Sequence, residues 1–227
     1  MKVYIKKPFM IPALAGALSM MLTDPATAQT FTTLYNFAVS SGVFPTNGDG
    51  MNPNGGLILA GNTLYGTTSQ GGKEGFGTAF RINTDGMDFT NLHNFNIGGS
   101  APAAGLTLSG CALFGTAYQG GEFGYGTIFA VNTDGSGFTN LYSFTNGSDG
   151  AYPIAELILA GNSLYGTASD DGSEGYEGGY GALFSMNTNG TGFKILHTFS
   201  PTSTGLVAGT NSDGALPGRL ILAGNTL

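Results

Sequence analysis

The sequence predicts an all-β fold, a β-propeller-like array of four-stranded antiparallel blades. Short apolar or alternating segments are separated by Gly, Asn and Asp, which is typical of strands joined by tight turns. No segment is long enough for a helix of ordinary length. The same order of segments returns about every 50 residues, and a sheet unit repeated at roughly that period is typical of propeller blades.

The composition indicates a folded chain with many turns. Of 227 residues, 40 are Gly and 9% are charged, whereas ordinary domains contain roughly 7% Gly and about 25% charged residues. The 16 Phe and 10 Tyr recur at regular places, which is unlike a disordered Gly-rich chain. The formal net charge of −7 repels phosphate backbones, so nucleic-acid binding is disfavoured.

The N-terminus predicts export. Three lysines precede an apolar stretch at 9–22, and Ala26-Thr27-Ala28 follows it. This order is typical of a secretory signal peptide, residues 1–28. The apolar stretch is shorter than the roughly 20 residues that span a bilayer, which disfavours an uncleaved anchor. We therefore expect a mature chain, 29–227, without a membrane span, located extracellularly, at the cell surface or in the periplasm.

Three complete repeats lie between two partial ones. Leu64-Tyr65-Gly66-Thr67 returns as Leu113-Phe114-Gly115-Thr116 and as Leu164-Tyr165-Gly166-Thr167, at spacings of 49 and 51 residues. The blocks around these anchors repeat in the same order. The complete repeats cover approximately residues 56–95, 105–144 and 156–199, and the partial ones cover residues 31–37 and 219–227.

Four strands are predicted in each repeat, and in the first they are Leu57–Ala60, Thr63–Thr68, Thr78–Asn83 and Phe89–Phe95. Gly61-Asn62 and Asp85-Gly86 suit the turns between them, because Gly and Asn tolerate positive φ. The last block stops where a second strand should begin. We expect that the sequence belongs to a longer chain, although the end pieces could instead combine into an incomplete fourth blade.

The repeated blocks GLILAGNTLYGTT, GTAFRINTDG and FTNLHNF resemble the tandem-repeat family called GloVer. The resemblance covers about residues 31–227. It implies a propeller-like exported or surface protein, and it carries no assigned activity. Members of this family have varied C-terminal anchors, and no such segment is visible in this sequence.

In an up-and-down blade, the connections after the second and fourth strands emerge at the same end, and these are the long connections of each repeat. Because binding residues concentrate on loops held by a rigid scaffold, we expect any function at this end, the long-loop face.

Phe76, Tyr125 and Tyr180 occupy the same Gly-aromatic-Gly place on this face. A ring of such side chains suits stacking on sugars. The favoured alternative is that they pack between neighbouring blades.

The third repeat carries a longer acidic loop with Asp170, Asp171, Glu174 and Glu177. Carboxylates can bind Ca²⁺, but the spacing does not match an EF-hand loop. A solvated acidic loop is the favoured alternative. No other cofactor is predicted.

A turn leads into each blade at Asp49-Gly50-x-x-Pro53 and Asp149-Gly150-x-x-Pro153, while Gly98 replaces the Asp in the second blade. Asp followed by Gly begins a turn and Pro fixes the chain direction, so this block is predicted to be structural.

No catalytic residues are predicted. His93 and His197 stand where Tyr35 and Tyr142 stand in other copies, and a residue interchangeable with Tyr favours side-chain packing over catalysis. Cys111 replaces a turn Asn and has no partner for a disulfide within the chain. It is predicted to lie exposed.

The sequence favours an exported scaffold for binding or surface display, which engages an extracellular glycan or protein through its long-loop face. The alternative is a secreted carbohydrate-active or lactone-cleaving propeller enzyme that uses carboxylates on the same face. A third possibility is a decayed fragment that does not fold. Propellers host many functions, so fold class alone does not decide between these hypotheses.

Overall fold

A computed structural model describes residues 31–39, 46–170, 180–200, 212 and 217–224. The described residues from Thr33 onward belong to one compact unit. The predicted signal peptide lies outside the described residues, and its export role stays a prediction.

The described residues form thirteen strands, no helix and three antiparallel sheets, in which the strands of each four-stranded blade follow chain order. The first sheet contains β1 (Ile58–Ala60), β2 (Thr63–Thr68), β3 (Thr78–Asn83) and β4 (Thr90–Asn94). The second contains β5 (Thr107–Ser109), β6 (Ala112–Ala117), β7 (Thr127–Asn132) and β8 (Thr139–Ser143). The third contains β9 (Ala151–Pro153), β10 (Ile158–Ala160), β11 (Ser163–Asp170), β12 (Ala182–Asn187) and β13 (Lys194–Thr198).

The predicted four-stranded blade is confirmed, and in the first sheet the strand ends agree with the prediction to within one residue. The third sheet differs by its extra strand β9, which pairs with β11. Two bridges define this pairing, Asp170 with Ala151 and Ala168 with Pro153. In the other two sheets the corresponding contacts are single bridges, Met51 with Gln70 and Ser100 with Gln119.

The Gly of the repeated Leu-aromatic-Gly-Thr motif makes room for a buried ring. Gly115 pairs across the sheet with Phe129, whose side chain is fully buried. A Cβ atom at Gly115 would lie 2.5 Å from the Phe129 Cζ atom. The same arrangement recurs at Gly66 with Phe80 and at Gly166 with Phe184.

The Thr of the same motif joins each repeat to the chain that enters the next one. Its buried hydroxyl donates to a backbone carbonyl, which lies three residues before β5 for the first sheet and three residues before β10 for the second, and immediately precedes the final partial repeat for the third. The hydrogen bonds are Thr67 Oγ1 to Ala104 O (2.7 Å), Thr116 Oγ1 to Ala155 O (3.2 Å) and Thr167 Oγ1 to Gly218 O (2.9 Å). The motif therefore positions one blade against its neighbour as well as filling its own core.

Hydrophobic side chains fill the boundaries between sheets. At the boundary between the second and third sheets, Tyr142 stacks on Phe193 with ring centroids 3.9 Å apart, and Phe144 meets Phe184 edge-on at 5.4 Å. A corresponding group of four rings occupies the boundary between the first and second sheets: His93, Phe95, Phe129 and Phe138. A third such group lies where residues 35–37 contact the first sheet: Tyr35, Phe37, Phe80 and Phe89. Burial of apolar rings makes a large contribution to the stability of the folded chain. The rings between the sheets therefore hold the sheets together as a propeller-like array.

Candidate functional site

The long connections lie together at one end of the sheets, and their backbones are hydrogen-bonded. Within the second blade, Ser100 N donates to Gln119 O (2.7 Å). Between blades, Ala101 N donates to Phe76 O (3.0 Å) and Tyr152 N donates to Tyr125 O (2.8 Å). These hydrogen bonds connect loops within one blade and loops of neighbouring blades. They therefore hold the loops of the long-loop face in fixed positions.

The three Gly-aromatic-Gly residues differ in exposure. Phe76 is 40% exposed, Tyr125 is half-buried, and Tyr180 is buried with 8% exposed. The backbones of Phe76 and Tyr125 occupy equivalent places, since each carbonyl accepts a hydrogen bond from the connection that enters the next blade. Sugar stacking by these three side chains stays a prediction.

A group of three tyrosines lies at the boundary between the second and third blades. The Tyr152 ring centroid is 5.0 Å from that of Tyr118 and 5.8 Å from that of Tyr125. All three side chains are half-buried. Phe123, on the same connection as Tyr118 and Tyr125, is 50% exposed. We call Tyr118, Tyr125 and Tyr152 the tyrosine cluster.

The sequence interpretation missed two members of this cluster. Tyr118 stands where the other repeats have Ser69 and Ser169, and Tyr152 stands where Asn52 and Ala101 precede the repeated Pro. The available signal was therefore a departure from the repeat at two positions. Recognising it required knowing that these two places meet across a blade boundary.

The hydroxyl of Tyr152 stays protonated at neutral pH. Burial raises the pKa of Tyr152, and the neighbouring Tyr125, Tyr118 and Asp170 raise it further by repulsion of the charged form. A protonated phenol both donates and accepts a hydrogen bond. The tyrosine cluster therefore combines apolar ring surface with polar groups.

A second feature of this face is a cavity of about 240 Å³ where the chain enters the first strand of successive blades. Arg219 Nη2 lies 3.0 Å from Glu156 Oε2 at its rim. Gly56 and Gly105 occupy the places that correspond to Glu156, and the Glu156 carboxylate lies against Gly105. Because the Arg219 side chain is 71% exposed, this ion pair contributes little to the stability of the fold. It places one acidic and one basic group at the rim of the cavity, where a ligand could contact them.

The predicted acidic Ca²⁺ site is only partly described. Asp170 ends β11. The other three residues of the predicted site, Asp171, Glu174 and Glu177, lie outside the described residues. In the described part of the chain, no group of three or more His, Cys, Asp or Glu side chains is arranged to hold a metal ion. Ca²⁺ binding by the acidic loop stays a prediction.

Cys111 and His93 do not line the cavity beside Glu156. Cys111 is an exposed free thiol in the turn between β5 and β6, as predicted. His93 stacks on Phe138 at a centroid distance of 3.4 Å and meets Phe95 edge-on at 4.9 Å. His93 takes part in side-chain packing, as the sequence predicted, and the structure places that packing at the boundary between the first and second sheets. Burial lowers the pKa of His93 to about 4.

Acid is expected to destabilise the protein through His93. The pKa of about 4 in the folded chain is below the value of about 6.5 expected when unfolded. As the pH falls below about 6.5, the unfolded chain binds a proton that the folded chain excludes, and this loss of stability is complete near pH 4. His93→Phe removes this contribution, which solvent screening of the half-buried ring keeps modest. Urea unfolding at about pH 7 and about pH 5 measures the effect, and an unchanged acid loss in the variant contradicts it.

These features define a β-propeller-like repeat protein with a supported loop surface at one end. The chain belongs to the Gloeobacter/Verrucomicrobia repeat family, whose model matches residues 21–226. This match confirms the resemblance carried by the repeated motifs. No curated protein matches this chain significantly.

Solved structures with a similar fold include three proteins that share less than a fifth of their sequence with this chain. A nidogen/laminin complex has 18% identity and a TM-score of 0.45, covering 66% of this chain and 48% of that chain. A putative TolB from Agrobacterium tumefaciens has 13% identity and a TM-score of 0.45, with 72% and 51% covered. TolB from Acinetobacter baumannii has 16% identity and a TM-score of 0.44, with 66% and 33% covered. The chain spans about half the length of the first two.

Within the described residues, no helix is long and apolar enough to cross a membrane.

Proposed function

We propose that this protein is an exported repeat scaffold for binding or surface display, and that its long-loop face engages an extracellular glycan or protein. The observation that supports the proposal is the tyrosine cluster, a set of half-buried rings held on loops that are hydrogen-bonded across a blade boundary. Rings fixed in this way lose little conformational entropy when a ligand binds.

The chemistry of the cluster favours a partner with both apolar and hydroxyl groups. Tyr rings offer flat apolar surface and a phenol that hydrogen-bonds. The exposed Phe123 extends the apolar surface, and the Glu156–Arg219 pair provides charged groups on the same face. Sugars and polar protein surfaces share these requirements.

Binding is tested with mature protein collected from the culture medium or cell surface, whose N-terminus should begin near Gln29. A panel of extracellular polysaccharides and exported proteins serves as probes. For a partner that binds, Phe123→Ala and Tyr152→Ala are each expected to weaken binding about tenfold, which corresponds to roughly 1.4 kcal/mol. Met87→Ala, an exposed side chain at the opposite end, is the control and should bind normally.

The outcome that contradicts the proposal is binding lost with Met87→Ala and retained with both aromatic variants. Turnover of a polysaccharide or lactone that is abolished by Asp170→Ala would instead support the enzyme hypothesis. Thermal unfolding of each variant separates lost binding from lost folding, because Phe123 is exposed and contributes little to the core.

A further inference from the structure

A second cavity, of about 660 Å³, lies where residues 35–38 and 48–49 meet the first sheet. Its lining includes the stacked rings of Tyr35 and Phe89 and the polar side chains of Asp49, Asn91 and Asn94. It is distinct from the tyrosine cluster and from the cavity beside Glu156.

Asp49 is a buried carboxylate with one oxygen unsatisfied. Its side chain is 7% exposed. Oδ2 accepts hydrogen bonds from Tyr35 Oη and from Ala38 N, both at 2.8 Å. Oδ1 is buried and has no hydrogen-bond partner. Leaving a buried charged oxygen without a partner is costly, so this atom requires a donor or a cation.

The connection into the third blade has an equivalent carboxylate, Asp149, and both of its oxygens accept hydrogen bonds. Asp149 Oδ2 accepts from Tyr142 Oη and Thr145 N, both at 2.9 Å. Asp149 Oδ1 accepts from Thr145 Oγ1 at 2.5 Å and from Gly147 N at 3.2 Å. Ala38 stands where Thr145 stands and has no hydroxyl. The loss of that one group accounts for much of the difference between the two copies.

A second acceptor in the same cavity is also unsatisfied. Asn91 Nδ2 donates to Gly48 O (2.8 Å), which fixes the orientation of the amide, and the buried Asn91 Oδ1 has no partner. The third blade has Ile195 at the place of Asn91. Among the described residues, no Lys or Arg forms an ion pair with Asp49. Two of the residues that line this cavity therefore each carry a buried oxygen that lacks a donor, a carboxylate oxygen and an amide oxygen.

We propose that this cavity binds a hard divalent cation, Ca²⁺, through Asp49 Oδ1 and Asn91 Oδ1. Ca²⁺ takes six to eight oxygen ligands, including carboxylate, amide carbonyl and water. The cavity that Asp49 and Asn91 line has a volume of about 660 Å³, which is room for waters that would complete the coordination shell. With few protein ligands, the site has the weak affinity of extracellular Ca²⁺ modules, with a Kd of about 1 mM.

Thermal unfolding of the full chain in about 10 mM CaCl₂ tests the site, with MgCl₂ at equal ionic strength as the control for charge screening. A Kd of about 1 mM predicts a rise in Tm of roughly 3–5 °C. Asp49→Asn should abolish the rise. Asp149→Asn, the matched control, should retain it because the Asp149 oxygens are already satisfied.

Ala38→Thr provides a test that does not weaken the fold. The new hydroxyl should donate to Asp49 Oδ1 as Thr145 does to Asp149. The expected result is a higher Tm without Ca²⁺ and a smaller Ca²⁺ response. An unchanged Ca²⁺ response in both Ala38→Thr and Asp49→Asn would overturn the proposal.

Terbium luminescence supplies a measurement that does not depend on stability. The chain has no Trp, so Tyr excitation sensitises bound Tb³⁺, and Tyr35 is in direct contact with Asp49. Asp49→Asn should remove most of the Ca²⁺-displaceable emission. Emission that survives Asp49→Asn and disappears with Asp171→Asn would place the ion in the acidic loop and overturn the assignment to this cavity.

Discussion

Replacing Gly126 with Ala is expected to lower the free energy of unfolding by about 4 kcal/mol, the sum of backbone strain and overpacking. Gly126 has a φ of 102°, a region that residues with a side chain rarely adopt. A Cβ atom there would lie 2.6 Å from Pro153 Cδ and 2.7 Å from Ala117 O. Neither neighbour can move freely, since one is a backbone atom and the other belongs to a rigid ring in a buried turn.

Gly124→Ala is the matched control, because Gly124 has a φ of 90° and nothing lies within 4 Å of a Cβ atom built there. It carries the backbone strain alone, which costs about 1–2 kcal/mol. Urea unfolding followed by circular dichroism measures both variants. Equal losses would show that the close approach of Gly126 to Pro153 contributes nothing.

This Gly–Pro contact explains why the sequence repeats both residues. Gly77 lies against Pro102, and Gly181 lies against Pro217, in the same arrangement. The Gly belongs to one blade and the Pro to the turn that enters the next. The contact therefore sets how closely the loops of neighbouring blades approach at the long-loop face.

Phe144→Ala is expected to cost about 3–5 kcal/mol, the usual effect of removing a fully buried aromatic ring. Phe144 is 0% exposed. Its ring meets Phe184 at 5.4 Å and Tyr142 at 5.2 Å between centroids. The cavity left behind lies between two sheets, whose backbones are fixed by their own hydrogen bonds and cannot close it.

Phe123→Ala serves as the control for Phe144→Ala, because Phe123 is 50% exposed and its loss should change stability by less than about 1 kcal/mol. Thermal unfolding compares the two variants. A Phe144 variant as stable as the Phe123 variant would contradict the assignment of this ring to the boundary core.

Features that recur in every repeat could be predicted from the sequence. The strands followed from alternating apolar residues bounded by Gly, Asn and Asp, and the packing role of His93 followed from its exchange with Tyr in other copies. The fifth strand of the third sheet could not be predicted. Only the Pro of β9 is shared with all the other inter-blade connections, and the strand depends on a second bridge, Ala168 with Pro153, that no sequence pattern indicates.

Features that distinguish one repeat from another were harder to interpret. Tyr118 and Tyr152 are single departures from the pattern, and their meeting depends on which loops face each other across a boundary. The change from Thr145 to Ala38 matters only because both sit beside a buried carboxylate. Repetition therefore reveals the scaffold, whereas the candidate binding groups lie where the repeats differ.

We conclude that each blade is stabilised by its neighbours through the ring clusters between sheets. Native-state hydrogen exchange of the Phe144→Ala variant tests this claim, because exchange reports local opening strand by strand. The expected result is faster exchange in β8 and also in β12, across the boundary, with β3 less affected. Faster exchange confined to β8, with β12 unchanged, would show that the blades are independent and would contradict the claim.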